Sequence, residues 1–283
     1  KTLPPLYASK TTPAEDWASV TPDADMVLLS SEEFSRAAPD RVNFAELAGF
    51  AQNFDELTIV CVLRTPIDFL QSSYLEVIKK RDCAPIGAFV QSVLDPQVTD
   101  ALHYDPNPLL DQLQAQLPTA RLIFLPYARS RKGPGGLVGA LFSALGVAFP
   151  VADLVLVAKE RANVSAPVLA AWMAHQISRP AAAGRGLIDL ADRALAPEIG
   201  DLVPSLFTQD ERTALYDFFA PRIERFDARV QAFDPTYRSD SFPSLGGRFG
   251  REGVSPTAWA RFARFIYEAR ERQTMDPRLE AVA

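Results

Sequence analysis

Apolar residues in this chain follow two rhythms, one of strands and one of helices. LTIVCVL (57–63) is an unbroken apolar run rich in β-branched residues, without polar alternation, which suits a central parallel strand covered on both faces. RTPIDFLQSSYLEVIKKR follows at once. Ile67, Leu70, Tyr74, Val77 and Ile78 recur there at helical spacing, Thr65 can cap, Pro66 suits the first helical position, and Asp68 suits the positive helix end. Lys79, Lys80 and Arg81 close that helix. Another helix is expected over FAELAGFAQNF, with Asn43 as its start and Glu46 three residues on, and another over 106–118. ARLIFLPY (120–127) reads as a second buried strand. RSRKGPGG (129–136) reads as a Gly-rich loop leading into the helix LVGALFSALGV, with Gly146 near its end. Upstream, ADMVLLSS (24–31) reads as a short strand ending in hydroxyls, Ser30 and Glu33 have capping-box spacing, and residues 1–24 read as loop.

Beyond about residue 150 strand signals fade. SAPVLAAWMAHQISR (165–179) is a helix, PAAAGRGL a flexible connector, and 208–233 a helix with Pro221 as a break or kink. YRSDSFPSLGGRFGREG is a loop, and 255–273 is a last helix with Ser255 as cap and Pro256 at its first position. On that helix Trp259, Phe262, Ala263 and Ile266 share one face, while Arg261, Arg264 and Arg270 lie elsewhere. Such a stripe suits packing within the chain or a homodimer contact better than a membrane surface. The order β, α, β, α, α, β, α in the first half predicts an α/β protein: a three-layer parallel sheet with helices on both faces. The expected division is an α/β domain over 1–240, helical from about 150, and a loop with an amphipathic helix over 241–283.

Composition narrows the function. A chain of 283 residues, 48% hydrophobic and 23% charged, can build a full globular core. The formal charge of −6 supplies no general basic field, so nucleic acid is not an expected partner and any anion site must be built locally. Cys61 lies in an apolar run and Cys83 follows a basic one; two such thiols read as reduced, which fits a cytoplasmic protein. No run of roughly 18 apolar residues predicts a transmembrane helix, and KTLPPLYASKTTPAEDW shows no signal-like segment. His103 and His175 stand apart from any Cys/His cluster, so no metal is expected; His103 reads as a surface or structural residue and His175 as packed or exposed.

The chemistry concentrates where the 57–63 strand hands over to its helix. Ligands of open α/β sheets bind at the carboxyl ends of strands. A helix N-terminus there offers N–H groups and partial positive charge. Arg64 adds a guanidinium fork, and Ser72, eight residues on, adds a hydroxyl. The helix end is worth about 0.3–1 kcal/mol to an anion, against about 1.5–3 kcal/mol for a charge-assisted hydrogen bond. Arg64 would therefore dominate. Spacing alone equally allows an Arg64 salt bridge to Asp68, with Ser72 facing solvent.

The pattern R-T-P-x-D-x-x-x-S-x-Y, at Arg64, Thr65, Pro66, Asp68, Ser72 and Tyr74, resembles the 3′-phosphate-binding motif of sulfotransferases that use 3′-phosphoadenosine 5′-phosphosulfate. LLSSEEF (28–34), the strand ending in Pro126 and Tyr127, F-x-x-x-L-G-V (142–147) and RANVS (161–165) resemble further segments of bacterial members, so the likeness spans about residues 26–235. The resemblance implies a P-loop NTPase-like sulfotransferase fold. It places Arg64 and Ser72 on the 3′-phosphate and implies a sulfuryl transfer to a hydroxyl acceptor, a carbohydrate or small metabolite. Such a transfer needs a base, and Glu32, after the 24–31 strand, is the candidate; the bland alternative is a solvated carboxylate, with Glu33 as a capping residue. Arg131, Lys132 and Gly133 match the family's R-K-G only in letters, because they lie far too early in the chain, and read as a solvated basic loop. The family's Pro-Lys-x-Gly-Thr-like phosphosulfate loop has no match in this sequence, which keeps open a non-catalytic binding or assembly protein of the same fold.

Overall fold

The computed structural model describes residues 26–30, 34, 44–95, 98–99, 102–148, 150 and 166–275. Its elements run α1 (Phe44–Ala51), β1 (Thr58–Leu63), α2 (Pro66–Ile78), α3 (Ile86–Leu94), β2 (Val98–Thr99), β3 (Leu102–His103), α4 (Pro106–Gln116), β4 (Arg121–Pro126), α5 (Tyr127–Lys132) and α6 (Gly136–Ala144). They continue with α7 (Val168–Ser178), α8 (Arg185–Ile199), β5 (Val203–Pro204), α9 (Gln209–Gln231), β6 (Arg248–Phe249) and α10 (Pro256–Met275). Helix and strand are mixed, and β1 with β4 and β5 with β6 form small parallel sheets, as expected of an α/β chain. The chain divides into two units: residues up to 66, 92–154 and 218–241 form one, and 67–91, 155–217 and 242–283 form the other.

The first unit is built on β1 and β4, parallel and in register from Thr58 opposite Arg121 to Leu63 opposite Pro126. Their inward side chains, Ile59, Cys61, Leu63, Leu122 and Phe124, meet Phe44, Leu47 and Phe50 of α1, Leu110 and Leu113 of α4, and Phe226 and Val230 of α9. Phe124 stands edge-on to Phe226 at 5.1 Å, and Phe226 to Tyr237 at 5.9 Å. Such pairs add about 0.5–1.5 kcal/mol each beyond area burial. Polar groups lock α4 against the C-terminal half of α9. Asp105 caps α4 by accepting the Asn107 N–H at 2.9 Å, the Asn107 amide donates to the Arg222 carbonyl at 2.9 Å, and Arg229 donates to Asp111 at 2.5 Å.

In the second unit α2 buries Ile67, Leu70, Tyr74, Leu75 and Ile78, close to the expected stripe. Helix α8 packs against α7 and α10. Trp172 of α7 meets Trp259 of α10 edge-on at 5.9 Å, and Arg193 of α8 lies over Phe265 at 4.8 Å. The Ser255 hydroxyl accepts the Ala258 N–H, as the expected cap, and also donates to Glu198. Thr208 and Glu211 form a capping box at the start of α9, each accepting the other's backbone N–H.

Several expectations need correction. Along the 57–63 run Val62 is 41% exposed while the other residues of β1 are partly buried, and β1 has one strand neighbour among the described residues. Residues 26–30 are not a strand, although Leu29 still packs on the first core. Residues 129–132, the start of the expected 129–136 loop, and Tyr127, the end of the expected 120–127 strand, belong to helix α5, whose first N–H groups Asp240 accepts from a distant segment. Residues from 185 are helix α8 where a connector was expected, with Ile188, Ala191, Ala194 and Leu195 buried. Strands β5 and β6 lie where strand signals fade. On α10 it is Ala258 and Phe262 that are fully buried, while Ala263 is exposed. No helix among the described residues is long and apolar enough to cross a membrane.

Leu110→Ala removes a side chain with 0% exposure and should cost about 2–5 kcal/mol in urea unfolding. Val62→Ala, at an exposed position, should cost no more than about 1 kcal/mol. Equal losses at the two positions would contradict the difference in burial between Leu110 and Val62.

Candidate functional site

Parallel register brings the residues that follow β1 and β4 to one sheet edge. Arg64 and Tyr127 are those residues, and the Arg64 guanidinium lies 4.1 Å from the centre of the Tyr127 ring. Stacking on an aromatic face orients the fork while Arg64 stays exposed to solvent.

The second strand–helix mouth at this edge is already filled. The first N–H groups of α5, from Ala128 and Arg129, donate to the Asp240 carboxylate at 2.6 and 3.1 Å. Arg129 donates from its guanidinium to the carbonyls of Arg238 and Ser239, and Asp227 accepts the Ser239 hydroxyl at 2.6 Å. Burial pushes the neighbouring Tyr237 phenol up to about 12. The chain's own carboxylate thus occupies the place an anion would take on α5.

Ser72 lies on α2 in the second unit, partly buried, whereas Arg64 belongs to the first. Thr65 is buried and Asp68 exposed. Glu32 and Glu33 lie outside the described residues, as do Asn43 and the 161–165 segment. Arg131 and Lys132 are exposed, on α5 rather than on a loop. Tyr127 and Asp240 are the residues sequence reasoning passed over. Tyr127 was legible as the residue after the second strand, opposite Arg64; Asp240 carried no signal, because only the fold brings it to α5.

Among the described residues the other titratable groups with shifted pKa values are buried or paired within the chain. Desolvation pushes the Cys61 thiol up to about 12 and raises Cys83 as well, so neither is primed as a thiolate at neutral pH. Among the described residues no group of three His, Cys, Asp or Glu side chains could hold a metal ion. His175 of α7 is 1% exposed, with Nε2 3.5 Å from an Asp82 oxygen and neither nitrogen hydrogen-bonded. Desolvation lowers the His175 pKa, outweighing the opposing pull of Asp82, and Arg179 holds the Asp82 carboxyl below its usual range. Desolvation likewise lowers His103. Burial opposes ionisation of Glu211, yet Arg251 and Thr208 together outweigh it and hold the carboxyl below its ordinary value.

Comparison with protein-family models, with curated proteins and with solved structures found no match.

His175 and Glu211 both have folded pKa values below their ordinary ones, so the unfolded chain takes up more protons than the folded one. Their contribution is complete above the ordinary values of 6.5 and 4.5 and is lost as pH falls through the folded values. Urea midpoints should drop on acidification from about pH 7 to 5, and His175→Leu should flatten that part of the curve. An unchanged slope in the variant would refute the assignment to His175.

Proposed function

We propose that this chain is a sulfotransferase, moving the sulfuryl group of 3′-phosphoadenosine 5′-phosphosulfate to a hydroxyl on a carbohydrate or small metabolite. The observation that carries this reading is the motif spanning 64–74, set where β1 ends at Leu63 and α2 opens at Pro66. Support comes from the placement of Arg64, exposed at the carboxyl edge of a parallel pair and braced on Tyr127. Further support comes from Asp240, which fills the α5 mouth and leaves the passage after β1 as the more open of the two strand ends. The fold in this reading is the three-layer parallel sheet of the sulfotransferases, with β1 and β4 as two of its strands.

In this proposal Arg64 and Ser72 hold the 3′-phosphate, and Glu32 takes the acceptor proton. The protein positions donor and acceptor in line and offsets charge on the leaving phosphate; the chemistry calls for no metal.

Isothermal titration with 3′-phosphoadenosine 5′-phosphate should show saturable binding. Arg64→Ala should weaken it by about 1.5–3 kcal/mol, and Ser72→Ala by about 0.5–1.5 kcal/mol. Absence of binding would reject the proposal. Binding without transfer of radiolabelled sulfuryl group to any acceptor in a panel would leave a non-catalytic protein of this fold.

A further inference from the structure

The second unit holds a pocket that the proposed donor site does not use. Asp68 and Gln71 of α2, Ser205, Arg212 of α9, Ser244 and Arg248 line it. It measures about 270 Å³, open solvent at its mouth included. Arg212 is only 4% exposed. Its Nη1 donates to the Phe207 carbonyl at 2.8 Å and its Nη2 to the Gln209 side chain at 2.5 Å, while Nε is buried with no hydrogen-bond partner. Arg248, half-buried, donates from Nε to the Ser244 carbonyl at 3.2 Å.

Among the described residues neither guanidinium has an ion-pair partner. The neighbouring acids are engaged elsewhere: Glu211 binds Arg251 and the Thr208 N–H, and Glu252 accepts the Gln209 N–H at 2.8 Å. Asp68 is the single acid among the lining residues, and it is exposed. Charged side chains are almost never fully buried unless paired, and a lone buried charge is costly. The first turn of α9, where Arg212 sits, also carries Asp210, which is exposed, and Glu211, which Arg251 holds. Two cations against one carboxylate, with an open donor on the buried one, make a receptor for an anion.

We propose that this pocket binds a tetrahedral oxyanion, phosphate or sulfate, as the free ion or as the head of an ester. The anion is held among Arg212, Arg248 and the Ser244 hydroxyl, which all line the pocket. The lining residues all belong to the second unit, so the inference stands apart from the role of Arg64.

Calorimetric titration of the whole chain at constant ionic strength tests it, with inorganic phosphate as one probe and phenyl phosphate as the other. Saturable binding is expected in the wild type and in Arg64→Ala. Arg248→Gln, a half-exposed position, should weaken it about 10- to 100-fold, with an unchanged far-ultraviolet circular dichroism spectrum. Phenyl phosphate binding as tightly as phosphate assigns the pocket to an ester; phosphate alone assigns it to the free ion. No saturable heat with either probe overturns the proposal. So does binding that Arg64→Ala abolishes and Arg248→Gln leaves intact.

Discussion

Because β1 and β4 keep one register from Thr58 opposite Arg121 to Leu63 opposite Pro126, whatever follows the two strands must arrive at the same edge. The rest of the first unit depends on that pairing. It sets Phe124 against Phe226, turns Ile59, Cys61 and Leu63 into the core, and lays Arg64 on Tyr127. A slip of one residue would turn each inward side chain outward. Burial of the aromatic cluster and placement of the guanidinium are therefore one constraint, held by the same ladder of hydrogen bonds.

Positive potential is the second theme. Helix starts in this chain are largely answered by its own acids: Asp240 on α5, Asp105 on α4, Glu211 and Glu252 around the start of α9. A carboxylate at such an end satisfies donors that would otherwise stay open, and it leaves an external anion little to gain. Against that background Arg212 and Arg248 stand out, because the neighbouring acids are spent elsewhere. A net charge of −6 makes the contrast sharper, since carboxylates are plentiful in the chain. Desolvation shapes the remaining groups: Cys61, Tyr237 and His175 are each pushed toward their neutral forms, which suits packing better than reactivity.

How far the sequence could be read depended on the range of the forces involved. Pro66 at the first turn of α2, Ser255 as the α10 cap and the burial of Leu70 and Tyr74 were legible, since capping and amphipathic spacing act within one or two turns. Helix α8 was hidden by the glycines at 184 and 186 and by Pro197, although Ile188, Ala191 and Ala194 carry a helical stripe. Helix α5 was hidden because its cap comes from Asp240, more than a hundred residues away. In the candidate site, Arg64 was legible from its place after an apolar run, and Tyr127 was legible only in part.

By itself the sequence determined β1, β4 and the helices with local caps or stripes, the mixed α/β character and the motif of Arg64 and Ser72 that underlies the proposed sulfotransferase reading. Only the tertiary structure decided that Val62 of β1 is exposed, that Asp240 closes the α5 mouth, and that Arg212 is buried without a carboxylate partner among the described residues. The reason is physical. Propensity and capping are settled between residues a turn apart, whereas desolvation and charge pairing depend on which distant segments meet, and no local pattern encodes that meeting.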